Sequence, residues 1–197
     1  MKKTLIFTAA VSFLMITGCA TTRVGRMDAS EEVDLSGYWN DTDSRLVSEE
    51  VIKDCLSRGW LTDFTTSAAK KPRVIVGTVK NQSSEHIATD TFVKDMEREL
   101  INSGKVIFVA GGTSREELRQ ERAEQQKFSE DAKAFFKEKA ADFMLQGGIN
   151  SILDTAGGKT LRYYQVELEL INMETNEKSW IGQKKIKKLV KRSKFGL

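Results

Sequence analysis

Histidine is nearly missing from this chain: His86 is the only one in 197 residues. Proline occurs once, at Pro72, and cysteine twice, at Cys19 and Cys55. Each scarcity excludes something. A structural zinc site needs several histidine or cysteine ligands, and this chain cannot supply them. A Ser-His-Asp arrangement would have to use His86, and no Gly-x-Ser-x-Gly elbow is present. Gly111-Gly112-Thr113 could open a helix toward an anion, but it lacks the Gly-x-x-x-x-Gly-Lys phosphate pattern and reads as a turn with a cap. No low-complexity segment or internal repeat stands out. Charge of one sign is also lacking: Lys and Arg number 31 against 28 Asp and Glu, and two of the lysines sit at the extreme N-terminus. A globally basic, nucleic-acid-binding role is therefore unsupported. The chain offers no catalytic constellation, and neither a cofactor nor a metal is expected.

The apolar run at the start is informative because it is short. Thr4–Ile16 is uncharged and follows Lys2 and Lys3. As a helix it covers about 20 Å, against a hydrocarbon core of about 30 Å. Basic start, short apolar stretch and a small residue before Cys19 read as a secretory signal peptide over residues 1–18. Ile16-Thr17-Gly18-Cys19 resembles a bacterial lipobox, which implies cleavage before Cys19 and lipid on that residue. More than one acyl chain makes a lasting anchor, at about 0.8 kcal/mol per buried CH₂. Ala20, not Asp, follows the cysteine, and resemblance to sorted lipoproteins then implies the outer membrane, facing the periplasm. Lipidation leaves Cys55 without a disulfide partner in an oxidising compartment. Cys55 shares an apolar stripe with Val47, Val51, Ile52 and Leu56, so it reads as a small buried hydrophobe.

Residues 19–35 are polar without apolar period and read as the lipidated cysteine and its tether. Fully extended, that stretch reaches roughly 55 Å; as a coil it averages about 20–25 Å. Residues 36–192 read as one globular domain, with a tail at 193–197. Helices are predicted at 44–59 (Asp43 capping, Gly59 ending), 90–103 (Asp90 capping, Gly104 following), 113–126 (Thr113 and Glu116 as a capping box) and 129–141, with Ala132, Phe135, Phe136 and Ala140 inward. Strands are predicted at 73–79, 105–110, 142–155, 161–173 and 178–190, with turns at 156–159 and 174–177. Gly147 and Gly148 suggest a bulge or close backbone approach. Early strand–helix alternation favours a parallel pair, and the last three strands favour an antiparallel meander. The fold class is α+β: a mixed sheet flanked by helices.

Three surface regions are candidates for partner binding. Tyr38 and Trp39 precede the first helix, and aromatic residues of this kind anchor interfaces. The polar loop from Asn81 to His86 follows a strand, where binding loops sit. The last strand carries Lys184, Lys185, Lys187 and Lys188 with no acid between them. Lysines on an edge strand discourage sheet pairing, and they also suit anionic headgroups, wall polymer or an acidic partner.

Several strings in this order carry a resemblance: residues 35–46 (LSGYWNDTDSRL), 81–87 (NQSSEHI), 102–106 (NSGKV), 141–147 (ADFMLQG), and Tyr164 through 174–178 (ETNEK) to Trp180-Ile181-Gly182. Together they resemble the LpoB family, outer-membrane lipoproteins that activate a penicillin-binding protein. The resemblance covers residues 35 to about 192 and the lipobox. It implies a fold similar to the N-terminal domain of TolB, and a function by binding a bifunctional peptidoglycan synthase, without chemistry of its own. Members of that family can have long proline-rich tethers; the tether here is short and free of proline. Two other readings are a subunit of a secretion assembly similar to the curli channel, which needs membrane-spanning strands, and an envelope hydrolase relying on His86.

Overall fold

Asn40 ends an extended segment, and its side chain accepts a hydrogen bond from the Asp43 backbone amide at 3.1 Å. The Asp43 carboxylate in turn accepts one from the Asn40 backbone amide at 3.0 Å. This reciprocal box starts α1 (Asp41–Cys55) three residues earlier than the sequence suggests, because Asp43 serves as the third helical residue and not as the cap. Asn40→Ala is expected to cost about 1 kcal/mol, read as a lowered urea midpoint with unchanged slope. Gly59 does not end that helix. It opens α2 (Gly59–Ala68), whose Trp60 and Phe64 rings meet Phe143 edge-on at 5.0 and 5.1 Å.

The computed structural model describes residues 24–130 and 138–191. Residues 24–31 separate from the rest as a small unit of their own, in which Asp28 accepts hydrogen bonds from the Ser30 amide and hydroxyl. In the main unit the remaining elements are β1 (Arg73–Asn81), α3 (Thr89–Asn102), β2 (Ile107–Phe108), α4 (Gly112–Phe128), β3 (Phe143–Ala156), β4 (Lys159–Asn172) and β5 (Lys178–Lys191). One sheet has the order β2-β1-β3-β4-β5. β1 and β2 form the expected parallel pair and β3-β4-β5 the expected antiparallel meander; β1 also pairs in parallel with β3, which the element pattern does not predict.

Alternation sets the faces. Tyr164, Val166, Leu168 and Leu170 of β4 are almost fully buried with Leu145 and Ile149 of β3. Against them pack Val47, Val51, Ile52 and Cys55 of α1, and Phe92, Met96 and Leu100 of α3. Each such side chain contributes roughly 1.5–3 kcal/mol by leaving water. Gln165, Glu167 and Glu169 point to the opposite face, which over the meander carries mostly polar, partly exposed residues. The hairpin between β3 and β4 turns on Gly157 (φ 56°) and Gly158 (φ 74°), the left-handed pair that a two-residue type I′ turn requires. Gly104 (φ 64°) follows α3 as expected.

Several expectations need correction. α3 starts at Thr89, with Ala88 in the cap position and Asp90 in the first turn, where a carboxylate favours the helix dipole. The predicted strand 105–110 pairs only at Ile107 and Phe108. Thr113 caps nothing: α4 starts at Gly112, one residue past Gly111, where a Cβ would lie 2.6 Å from Ile75 Cδ1. No side chain caps this end of the helix. Most of the helix predicted at 129–141, with Ala132, Phe135 and Phe136, lies outside the described residues; Ala140 is exposed and in no helix. Gly147 does mark a close approach, because a Cβ there would collide with the Glu167 carbonyl oxygen. The register of β1 against β3 also shifts between Val76 and Val79.

Candidate partner-binding site

The three candidate regions, far apart in sequence, meet at one end of the sheet. Glu85 is the link. Its carboxylate accepts from the Trp39 backbone amide at 3.3 Å and from the Tyr164 hydroxyl at 2.7 Å, and it pairs with the Arg162 guanidinium. Arg162 lies over the Tyr38 ring, 3.6 Å from its centroid. Both members of the pair are nearly buried, with side-chain exposures of 12% for Arg162 and 9% for Glu85. Burial, with the Glu85 carboxylate beside it, pushes the Tyr164 phenol well above its ordinary value.

Local sequence explains the placement. Gly37 takes φ 73° and is packed so closely on Val190 that a Cβ would clash with it. This pulls the 36–40 segment onto β5. Trp39 is half-buried, edge-on to Phe92 at 6.1 Å and to Tyr164 at 5.6 Å. Asn81 shapes the loop: its Oδ1 accepts from the Ser83 amide at 3.0 Å, and its Nδ2 donates to the Glu85 carbonyl at 2.8 Å. Ile87 is buried at the loop's end, and His86 beside it is exposed.

The lysines of β5 divide by parity. Lys184 and Lys188 point to the helix side. Lys188 Nζ donates to Asp34 and Asp43 at 2.6 Å each, and Lys184 pairs with Glu50. Lys188 Nζ also lies 3.3 Å from the Tyr38 carbonyl. Asp43 is buried, which pushes its carboxyl up from the usual range despite the Lys188 ammonium. Lys185 and Lys187 point the other way and are exposed. Of the candidates, Tyr38 (49% exposed), His86 and Asn81 thus form one exposed patch, with Trp39 and Lys188 as its underside.

Sequence reasoning passed over Arg162 and Asp34, took Asp43 only as a helix cap and Glu85 only as part of the loop, yet these four hold the patch together. Arg162 breaks the apolar pattern of β4's inner face between Thr160 and Tyr164, and that break was the available signal. Cys55 is buried, as expected, and burial pushes its thiol up to about 12. Among the described residues no group of His, Cys, Asp and Glu is arranged to hold a metal ion, and no helix is long and apolar enough to cross a membrane. On the opposite face a shallow groove of about 550 Å³ is lined by Thr78, Lys80, Gln82, Gln146, Glu167 and Glu169 among others. Gln146 Nε2 already donates to Glu169 there at 2.9 Å.

Comparison with solved structures finds distant likenesses. The LpoB C-terminal domain from Salmonella enterica is 13% identical with a TM-score of 0.42, over 76% of this chain and 99% of that one. The corresponding domain from Escherichia coli is 11% identical with a TM-score of 0.40, over 71% of this chain and 97% of that one. The lipoprotein GNA1162 from Neisseria meningitidis is 11% identical with a TM-score of 0.39, over 63% and 88%. No curated protein matches the chain. The model of the peptidoglycan-synthase activator LpoB matches residues 43–186, most of the chain, and the protein therefore belongs to the LpoB family.

Proposed function

We propose that this protein is a lipid-anchored activator of a bifunctional penicillin-binding protein, tethered through Cys19 to the outer membrane and facing the periplasm. The match to the peptidoglycan-synthase activator family carries this reading. The signal sequence and Ile16-Thr17-Gly18-Cys19 support export and anchoring. In this reading residues 1–18 are removed and the tether ends near residue 35. The domain acts by binding: it raises synthase activity to the extent that it binds the active state more tightly than the resting one.

The docking patch in this proposal is Tyr38 with the loop Asn81–His86. It joins an exposed aromatic ring to a loop that is held in shape by Asn81 and Glu85, so little order has to be gained on binding. Tyr38→Ala is expected to weaken binding to the synthase by roughly tenfold or more, the range of an interface anchor. His86→Glu should weaken it without touching the fold, since His86 is exposed. Titration of the purified synthase by light scattering or calorimetry checks both, with circular dichroism confirming native structure. Unchanged affinity in both variants would move the docking face elsewhere. A secretion-channel subunit is less favoured, because the outward face of the meander carries Glu167, Lys185 and Lys187, which are costly against lipid hydrocarbon.

A further inference from the structure

The outward face of the meander is divided by charge along its length. Toward the β4–β5 turn it carries Gln146, Glu167, Glu169 and Gln183. Toward the β3–β4 hairpin, the register places Lys159 beside Lys191, Tyr163 beside Lys187 and Gln165 beside Lys185. Asp154 is the only carboxylate that the three strands place on this half. None of Lys159, Lys185, Lys187 or Lys191 has an ion-pair partner among the described residues, whereas Lys184 and Lys188 on the inner side are both paired. Between these cations stand apolar side chains that the fold leaves in water: Ile152 at 64% and Leu189 at 54% exposed, with Leu161 between them. Four uncompensated ammonium groups around exposed aliphatic residues make a surface that is both basic and amphipathic.

The chain enters the domain at this same end. Gly37 packs on Val190 and Arg162, and Lys188 holds Asp34. The residues between Cys19 and Asp34 allow the domain no more than about 50 Å from the anchor, and a coil average near 20 Å. A surface that close to an anionic leaflet lies where lysines gain the most from it.

We propose that the hairpin half of the outward face, through Lys159, Lys185, Lys187 and Lys191 with Ile152 and Leu189, rests on the anionic phospholipid surface to which Cys19 is anchored. This rests on the lipid-anchor reading above. The contact orients the domain. The open face of the sheet lies toward the lipid, and the helix face, with Tyr38 and the Asn81–His86 loop, turns toward the periplasm. The fold thereby assigns one face to the membrane and the other to the partner.

The test uses the mature chain from residue 19 carrying Cys19→Ala, so that no lipid contributes. Vesicles of phosphatidylglycerol with phosphatidylethanolamine are sedimented with it and compared with phosphatidylcholine vesicles. The expected result is binding to the anionic vesicles alone, weakened by salt. Lys185→Gln with Lys187→Gln and Lys191→Gln should reduce partitioning by roughly tenfold or more, since each lysine near such a surface is worth about a factor of five. The charge-matched control, Lys53→Gln on α1 with Lys71→Gln and Lys105→Gln before β1 and β2, away from the hairpin half, should bind like the parent. No binding to anionic vesicles at low salt, equal binding to both vesicle types, or equal loss in the two triple variants would overturn the proposal. Mass spectrometry of Cys19 in the native envelope tests the anchor separately. An unlipidated Cys19 would sink the anchor reading, and with it the assignment of the leaflet, even if the vesicle experiment succeeded.

Discussion

Arg162→Ala is expected to destabilise the domain by about 3–5 kcal/mol, because it strands the Glu85 carboxylate in a nearly dry site. With a urea slope of about 2 kcal/mol/M, the midpoint should fall by roughly 2 M. Three contacts go together: the pair with Glu85, the stacking on Tyr38, and the cover over the Gly37 segment. Arg162→Lys should not rescue it. A single ammonium has neither the planar group that stacks on Tyr38 nor the fork that reaches Glu85 at the same time. Glu85→Gln in the Arg162→Ala background should restore part of the loss, since the neutral amide can still accept from the Trp39 amide and the Tyr164 hydroxyl without carrying a buried charge. A double-mutant cycle on this pair should therefore give a strong coupling. Additive losses would mean that the two residues act independently.

Gly147→Ala should be comparably severe. A Cβ at Gly147 would fall on the Glu167 carbonyl oxygen and close to Leu168, and these belong to the backbone and inner face of the central hairpin. Relief requires β3 and β4 to part where their side chains form the core, at roughly 3 kcal/mol or more. The thermal midpoint should drop by about 10 °C, with poor soluble yield. Gly148→Ala is the control. Its nearest neighbours would be the Lys80 carbonyl oxygen at 3.1 Å and the Gln82 amide oxygen at 3.3 Å, at the open face. A small shift suffices there, so the cost should be well below that of Gly147→Ala. Equal effects would contradict the packing described here.

Sequence and structure agree where side-chain period dominates. The β4 alternation from Tyr164 to Leu170 and the α1 stripe through Val47, Val51 and Cys55 are written directly in the chain, and the core follows them. The meander followed from its two turns, and the parallel pair from the helix between β1 and β2. What stayed hidden depended on partners distant in sequence. α2 was missed because Trp60 and Phe64 pack on Phe143, which lies about 80 residues further on. The cap of α1 was misplaced by three residues because Asn40 and Asp43 are both capping types, and only the geometry says which one leads. Gly111, before α4, sits against Ile75, a neighbour that no local pattern reveals.

The candidate site was half legible. Tyr38, Trp39, Asn81, His86 and the lysines could each be singled out from composition and exposure. Their meeting could not, because Glu85 and Arg162 are 77 residues apart and carry no motif. The lysine run also hid a division of roles. Period two sends Lys184 and Lys188 inward to Glu50, Asp34 and Asp43, and leaves Lys185 and Lys187 outward without an ion-pair partner among the described residues.

The most direct measurement is the rate of glycan polymerisation by a purified bifunctional penicillin-binding protein from the same envelope, with and without this domain. The expected result is a saturable rise in rate that Tyr38→Ala and His86→Glu reduce in parallel with their binding. A folded domain that neither binds the synthase at micromolar concentration nor changes its rate would contradict it.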